Sequence, residues 1–426
     1  MAPQLQDFPD ELLVDLLSYL PKPDLKSARL TCTRFAHVGA QWLLQRVYFA
    51  PNKAVMEIFL NISANPIFAR TVTELVYDST LFLPELTSYK PFQEAIADGL
   101  QAEVYSTDFL ADSLVSYVRL VDQQQGILED QKDYKALITG LRNFSNIERV
   151  IVLDTYHHDH DRSWYDLHFH GPHIAKTLKW PRDGHPEDDG SKKWHIRGIR
   201  NLIRTVSVLC QKLKELSLAT ASSCAPMTIF EMDGDEYEKA CTMAQRLTSL
   251  ELNLYVSRND SHDGWHEQNG GLSKFLSETK QLRSLVASGR IDPSVFNDKV
   301  WPHLETLSWS NAGLDAKCLK AITQVHKSTL RELRFCNVKL FGDQGWIDAA
   351  IEIGKYLRLR CVTVFGVCDE VTMEATGDPY LEDEINLVVA RKFMQSIPNA
   401  SVSATDLFTI IACPEKGEVG VSHSST

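Results

Sequence analysis

The residues best suited to chemistry form one histidine-rich stretch, YHHDHDRSWYDLHFHGPH. Imidazole and carboxylate groups are common ligands of zinc and related metals, so a metal-dependent enzyme is one interpretation of this stretch. The candidate ligands are His157, His158, His160, His168, His170 and His173, with Asp154, Asp159, Asp161 and Asp166 among them.

The spacing of these ligands does not complete a known hydrolase motif. His158 and His160 fit the start of an H-x-H-x-D-H pattern, but Arg162 and Ser163 occupy the positions of its Asp and last His. The sequence also contains no H-E-x-x-H, no G-x-S-x-G and no phosphate-binding glycine loop. We therefore expect a solvated insertion at about residues 155–195, with no catalytic residue, no metal and no cofactor.

Composition limits the partners that this chain can have. Its 426 residues carry a formal net charge of −12 and no run of five Lys or Arg, which argues against a nucleic acid or an anionic membrane as main partner. The nine cysteines form no C-x-x-C pair, as expected of reduced thiols. The opening MAPQLQDFPDE lacks the features of a signal peptide, and we expect a cytoplasmic or nuclear protein.

The middle of the chain repeats a phrase of the form L-x-x-L-x-L. Clear copies begin at Leu213, Leu247, Leu304 and Leu330, and looser copies begin at Val72, Ile147, Leu282 and Leu359. From Leu213 onward the copies are 22 to 35 residues apart, close to the 20 to 29 residues of leucine-rich repeats. The eighth position lacks the usual Asn or Cys, and Asn311 and Asn337 come one residue early, so the sequence does not establish that the turn is regular.

The segments between these phrases have helical periodicity. Residues 196–209, 313–326 and 346–357 each place their apolar side chains on one stripe. Helix and strand thus alternate, and each unit would bury its apolar face against its neighbours. The sequence predicts an α/β fold, a degenerate leucine-rich-repeat-like solenoid of short parallel strands and helices. A conventional α/β domain with a parallel sheet would give the same alternation.

The N-terminal segment FPDELLVDLLSYLPKPDLKSARLTCTRF has more leucine than a small helical domain needs for its own core. Helices are predicted at about 7–20, with Asp7 as N-cap, from Asp24 to about Thr33, and from about Ala36 to Arg46. A surplus apolar face on such helices indicates a surface that a partner covers. A helical cap on the repeats is the alternative.

This segment resembles the F-box family. Phe8-Pro9, Glu11-Leu12-Leu13, Leu16-Leu17, SYLP, Asp24-Leu25 and Arg29-Leu30 occur at the spacing of that motif, and residues up to about 78 look like fungal F-box proteins. The resemblance implies that these helices bind the Skp adaptor of a cullin–RING ubiquitin ligase, without a catalytic role. The implied adaptor contacts are Phe8, Pro9, Leu12, Leu13, Leu16, Leu17, Leu20, Pro21, Leu25, Leu30 and Phe35. For Leu17 and Leu30, internal packing within the motif is an equally good interpretation.

The repeats would then hold an unknown protein substrate on the strand positions that alternate with the leucines. These positions are Glu215, Ser217, Ser249, Glu251, Ser284, Thr306, Ser308, Glu332 and Arg334. The expected domains are an F-box at 1–49, a substrate-binding repeat domain at 50–412 and a disordered tail at 413–426. We expect the substrate-recognition subunit of an SCF-type ligase, and a repeat scaffold without a ubiquitin role stays an alternative.

Overall fold

This computed structural model divides the described chain into two compact units, which meet in sequence at Leu213 and Lys214. The structure describes residues 5, 8–100, 107–153, 182–183, 189–218, 225–230, 232, 234–255, 265–289, 291, 293–296, 298–341, 345–369, 389, 392, 410–413 and 418–421.

The first unit begins with helices and continues with alternating strands and helices. Its helices are α1 Asp10–Ser18, α2 Lys22–Arg29, α3 Thr33–Val38, α4 Ala40–Leu43, α5 Lys53–Ala64, α6 Pro66–Thr71, α7 Tyr89–Leu100, α8 Thr107–Glu129, α9 Lys132–Leu141 and α10 Asp189–Leu209. Its strands are β1 Arg46–Phe49, β2 Glu74–Asp78, β3 Leu81–Phe82, β4 Arg149–Leu153 and β5 Arg182–Asp183. Strands β1, β2 and β4 pair in parallel, and β3 pairs antiparallel with β5.

The second unit has the same strand-and-helix alternation. Its strands are β6 Glu215–Leu218, β7 Ala225–Pro226, β8 Ser249–Tyr255, β9 Ser284–Gly289, β10 Thr306–Ser310, β11 Gly313–Asp315, β12 Glu332–Cys336, β13 Lys339–Phe341, β14 Cys361–Phe365, β15 Cys368–Asp369, β16 Ile410–Cys413 and β17 Glu418–Val421. Its helices are α11 Gly234–Ala244, α12 Trp265–Glu278, α13 Ala316–Val325 and α14 Trp346–Gly354.

A parallel sheet in the order β6-β8-β9-β10-β12-β14 forms the frame of the second unit. The α/β fold with N-terminal helices followed by parallel strands and helices is therefore confirmed. Every predicted phrase from Leu213 onward leads into one of these strands, and its leucines are buried. The structure differs from expectation at residues 418–421, which form β17 and pair antiparallel with β16.

Side-chain stacking continues across neighbouring repeats of this sheet. The rings of Trp309 and Phe335 are parallel at 6.0 Å, and Phe335 meets Trp346 of α14 edge to face at 4.9 Å. All three side chains are buried. Helix α13 begins at an N-cap that its sequence supplies, since the Asp315 carboxylate accepts hydrogen bonds from the backbone N–H groups of Lys317 and Cys318.

The turns at the ends of β9, β10, β12 and β14 share one backbone conformation, a point that the sequence left open. Gly289, Asn311, Asn337 and Gly366 have φ values of 84°, 48°, 53° and 61°, the left-handed region that glycine and asparagine tolerate best. The Asn337 side-chain amide also donates to Asn311 Oδ1 at 3.1 Å. In each of these four repeats, the left-handed residue is the Asn or Gly seven residues after the first leucine of the phrase. The turn forms without an Asn or Cys at the eighth position.

Helix bounds in the N-terminal region also differ from those predicted. Helix α1 has Pro9 as its N-cap residue, with an extended ψ of 151° and no side-chain cap, whereas the predicted N-cap Asp7 lies outside the described residues. The predicted third helix is divided into α3 and α4 and ends at Leu43, after which β1 begins at Arg46. Strand β1 pairs with β2, so tertiary pairing overrides the local helical pattern there.

Candidate protein-interaction surfaces

The N-terminal helices have a small apolar core of their own. Its buried members are Leu13, Leu17, Leu25, Phe35, Val38 and Leu43. Four of these are predicted adaptor contacts, and the structure gives them an internal packing role that holds α1, α2 and α3 together. As direct adaptor contacts, Leu13, Leu17, Leu25 and Phe35 stay a prediction.

The remaining predicted contacts reach the surface of these helices. Leu12 and Leu16 are 54% and 39% exposed, and Leu30 is 88% exposed. Pro9 and Pro21 are exposed, whereas Phe8 and Leu20 are half-buried against the helical core. The structure thus brings the eleven predicted residues into one domain but separates them into an inner set and an outer set.

Tyr19, which the sequence reasoning missed, extends the outer set. Its side chain is 85% exposed, and it lies seven residues after Leu12, so Leu12, Leu16 and Tyr19 share one face of α1. The signal was present in the helical spacing. Of the fifteen large hydrophobic side chains found exposed among the described residues, five lie between Leu5 and Leu30. Such a concentration is typical of an interaction surface.

Polar contacts fix α1 against α3 and so keep this face outward. Arg34 forms an ion pair with Asp10 at 2.7 Å and donates to the Phe8 backbone oxygen at 2.6 Å. Trp42 Nε1 donates to the Val14 backbone oxygen at 3.0 Å. The exposed apolar face therefore belongs to an ordered helix whose orientation is set from within the domain.

The predicted substrate positions lie on the sheet face opposite the buried leucines, which we call the open face. Pairing between strands arranges them in two rows. The first row is Glu215, Ser249, Ser284, Thr306 and Glu332, and the second is Ser217, Glu251, Val286, Ser308 and Arg334. All nine predicted residues are brought together, and Val286 is added between them. Their contact with a substrate stays a prediction.

A third row was missed by the sequence reasoning. It consists of Asn253, Ser288, Ser310 and Cys336, which pair across β8, β9, β10 and β12, and of Phe365 on β14. Continuing the two-residue alternation by one step would have found it.

The N-terminal helices coincide with a known domain. Residues 5–50 match the family model described as F-box-like. These helices form an F-box-like domain. No curated protein matches the chain. Proteins with an F-box domain are typically non-catalytic adaptors, and such a domain implies binding of a Skp-type adaptor and, in general, a substrate-recognition role in SCF complexes.

Charges on the open face outside the F-box-like domain are mostly paired. Arg334 forms an ion pair with Glu332 at 2.9 Å, while the Glu251 carboxylate accepts a hydrogen bond from the Ser217 hydroxyl at 2.6 Å. Burial raises the pKa of the Cys336 thiol, which keeps it protonated near neutral pH. Cys336 is therefore not an activated nucleophile.

Metal ligands do not converge anywhere in the described ranges. No group of three or more His, Cys, Asp or Glu side chains there could hold a metal ion. The histidine-rich stretch with His157, His158, His160, His168, His170 and His173 lies outside the described residues. Likewise, no helix among the described residues combines the length and apolarity needed to span a bilayer.

Proposed function

We propose that this chain is the substrate-recognition subunit of an SCF-type ubiquitin ligase. The F-box-like domain binds a Skp-type adaptor and, through it, a cullin–RING ligase. The β–α repeats, which we take to be degenerate leucine-rich repeats, bind a protein substrate on the open face. The chain contributes proximity and orientation, in the cytoplasm or the nucleus, and the ubiquitin-transfer chemistry belongs to its partners.

The observation that carries the adaptor part is the exposed face of α1. Leu12, Leu16 and Tyr19 lie in one stripe that the domain's own core leaves uncovered. Complete burial of a fully exposed apolar side chain of this size contributes about 1.5 to 3 kcal/mol, and Leu12 and Leu16, at 54% and 39% exposed, would each contribute about half of that. Burial of Leu12, Leu16 and Tyr19 against a partner would therefore contribute substantially to the free energy of binding.

The test is co-purification with the Skp adaptor. In the Leu12→Asp/Leu16→Asp variant both changes are at exposed positions, so the domain core is untouched. Each aspartate would place an unpaired charge in the contact at a cost of several kcal/mol, and a loss of about 3 kcal/mol lowers affinity by about a hundredfold. We expect the wild type to retain the adaptor and the variant to lose it.

A matched control is the Val300→Asp/Val325→Asp variant. These two valines are also exposed apolar residues, at 65% and 44%, but belong to the second unit. Adaptor binding should be unchanged in this variant. Retention of the adaptor by Leu12→Asp/Leu16→Asp would reject the α1 face as the contact. A wild type that ignores the adaptor would reject the ligase role and favour a repeat scaffold.

A further inference from the structure

One edge of the second unit carries a charge opposite to that of the whole chain. This basic edge consists of the turns that lead into the parallel strands, at residues 214, 245–248, 279–283, 298–305, 326–331 and 355–360. Its cations are Lys214, Arg246, Lys280, Arg283, Lys299, Lys327, Arg331, Lys355, Arg358 and Arg360. Only two carboxylates, Asp298 and Glu305, lie in the same turns, although Asp and Glu outnumber Lys and Arg by 56 to 44 in the chain.

Backbone hydrogen bonds place these turns side by side. The residue before each strand accepts from the N–H of its counterpart in the next repeat, with N···O distances of 2.6 to 2.8 Å. The bonded series is Lys214, Thr248, Arg283, Glu305, Arg331 and Arg360. Strands of a sheet are about 4.8 Å apart, so the five steps of this series span roughly 24 Å. Four of these six residues are cations, so Lys214, Arg283, Arg331 and Arg360 lie in one row, with Thr248 and Glu305 between them.

The cations of this edge differ in how far the protein itself neutralises them. Arg283 forms an ion pair with Glu305 at 2.9 Å. The guanidinium of Arg331 donates only to the backbone oxygens of Leu330 and Ser328. Lys280, Lys327, Lys355 and Arg358 are exposed. Within the described part of the chain, none of these four has an ion-pair partner.

Helix ends account for part of this pattern. Helices α11, α12, α13 and α14 end just before these turns, and the partial negative charge of a helix C-terminus stabilises a nearby cation. That effect is local and equals only about half an elementary charge per helix. It does not explain why the exposed side chains of Lys355 and Arg358 lie in a single turn, at 355–360, where neither has an ion-pair partner among the described residues.

We propose that the basic edge binds an acidic segment of a partner protein, a stretch rich in Asp and Glu. An extended segment of about seven residues would match the length of the row. A long nucleic acid fits less well, because the remainder of the chain has a carboxylate excess greater than its net charge of −12 and would repel a polyanion that passes the row. This surface is distinct from the α1 face and does not depend on the proposed ligase role.

The experiment measures binding of a fluorescent oligoglutamate peptide to the full chain by anisotropy. It is run at about 10 mM ionic strength, where the Debye length is about 30 Å, and repeated at about 150 mM. Oligolysine and a single-stranded oligonucleotide serve as comparison probes. We expect oligoglutamate to bind, its affinity to fall as salt rises, and oligolysine not to compete for the edge.

Two charge-reversal variants locate the site. Lys355→Glu/Arg358→Glu should weaken oligoglutamate binding by about tenfold, since two exposed ion contacts are lost and become repulsive. Lys239→Glu/Lys317→Glu changes net charge equally at exposed helical positions outside the edge and should leave the affinity within about twofold. Circular dichroism checks that both variants are folded.

Three results would overturn the proposal. Failure of the wild type to bind oligoglutamate at low salt would exclude an acidic partner. Equal weakening in both variants would show that net charge, and not this edge, governs binding. Tighter binding of the oligonucleotide than of the peptide would assign the edge to nucleic acid. None of these results depends on whether the F-box-like domain binds an adaptor.

Discussion

Substitution of His326 gives a sharp test of how the second unit is packed. The imidazole is 2% exposed and stacks on the Trp301 indole, with ring centroids 5.4 Å apart and planes 20° apart. Its Nε2 atom is buried without a hydrogen-bond partner. Burial lowers the pKa of His326 below its usual value, and hydrogen bonds with the backbone of Lys299 and Trp301 offset only part of this effect.

The sign of the resulting pH dependence follows from these facts. In the unfolded chain the pKa of a histidine is about 6.5, whereas in the folded protein the pKa of His326 is lower. Between these two values the unfolded state binds a proton that the folded state does not. The free energy of unfolding therefore falls as pH falls below about 6.5, by up to about 1.4 kcal/mol for each pH unit, until the folded pKa is reached.

Urea denaturation followed by tryptophan fluorescence at about pH 7.5 and 5.5, on either side of the unfolded-state pKa of about 6.5, measures this effect. His326→Phe retains a ring against Trp301 but cannot take up a proton, so it should lose less stability on acidification than the wild type. His303→Phe makes the same substitution at an exposed histidine and should leave the wild-type pH dependence intact. Identical losses in the wild type and His326→Phe would show that His326 does not titrate below its unfolded value.

Two further predictions concern backbone positions. Gly140→Ala should destabilise the first unit because the added Cβ would overlap the buried Phe59 ring, and overpacking of about 1 to 3 kcal/mol exceeds a helix-propensity gain of about 1 kcal/mol. Gly126→Ala, in α8, should instead stabilise the protein by up to about 1 kcal/mol, because a Cβ added there meets no neighbouring atom within 4 Å. Thermal denaturation compares the two variants. A change in stability of the same sign in both would contradict the packing described at Gly140. Asn337→Ala should lower stability by about 1 to 2 kcal/mol because alanine disfavours its left-handed φ of 53°. Asn337→Gly should lower the free energy of unfolding by less than Asn337→Ala. If urea denaturation shows a larger loss for the glycine variant, backbone strain is not the cause.

The parallel strands of the second unit could be predicted from the sequence, whereas strand β1 and the basic edge could not. The leucines of each repeat phrase alternate along the strand with the residues of the open face, and this alternation predicts which side chains point to the core. Strand β1 was missed because no repeat phrase leads into Arg46–Phe49 and the predicted third helix ran as far as Arg46. The basic edge was missed for a related reason. Its cations are spread over six separate turns with one to three in each, and only the register between strands brings Arg331 beside Arg360.

The candidate adaptor surface could not be identified from the sequence of α1 alone. On α1, Leu12 and Leu16 form one stripe with a spacing of four residues, and Leu13 and Leu17 form another. The two stripes are chemically equivalent, and helical periodicity cannot decide which of them faces the core. Packing decides: Leu13 and Leu17 meet Leu25 of α2 and Phe35 of α3, and the core is then complete. Leu12 and Leu16, which form the other stripe, are not part of this core and are exposed. Their side chains are therefore available for contact with a partner.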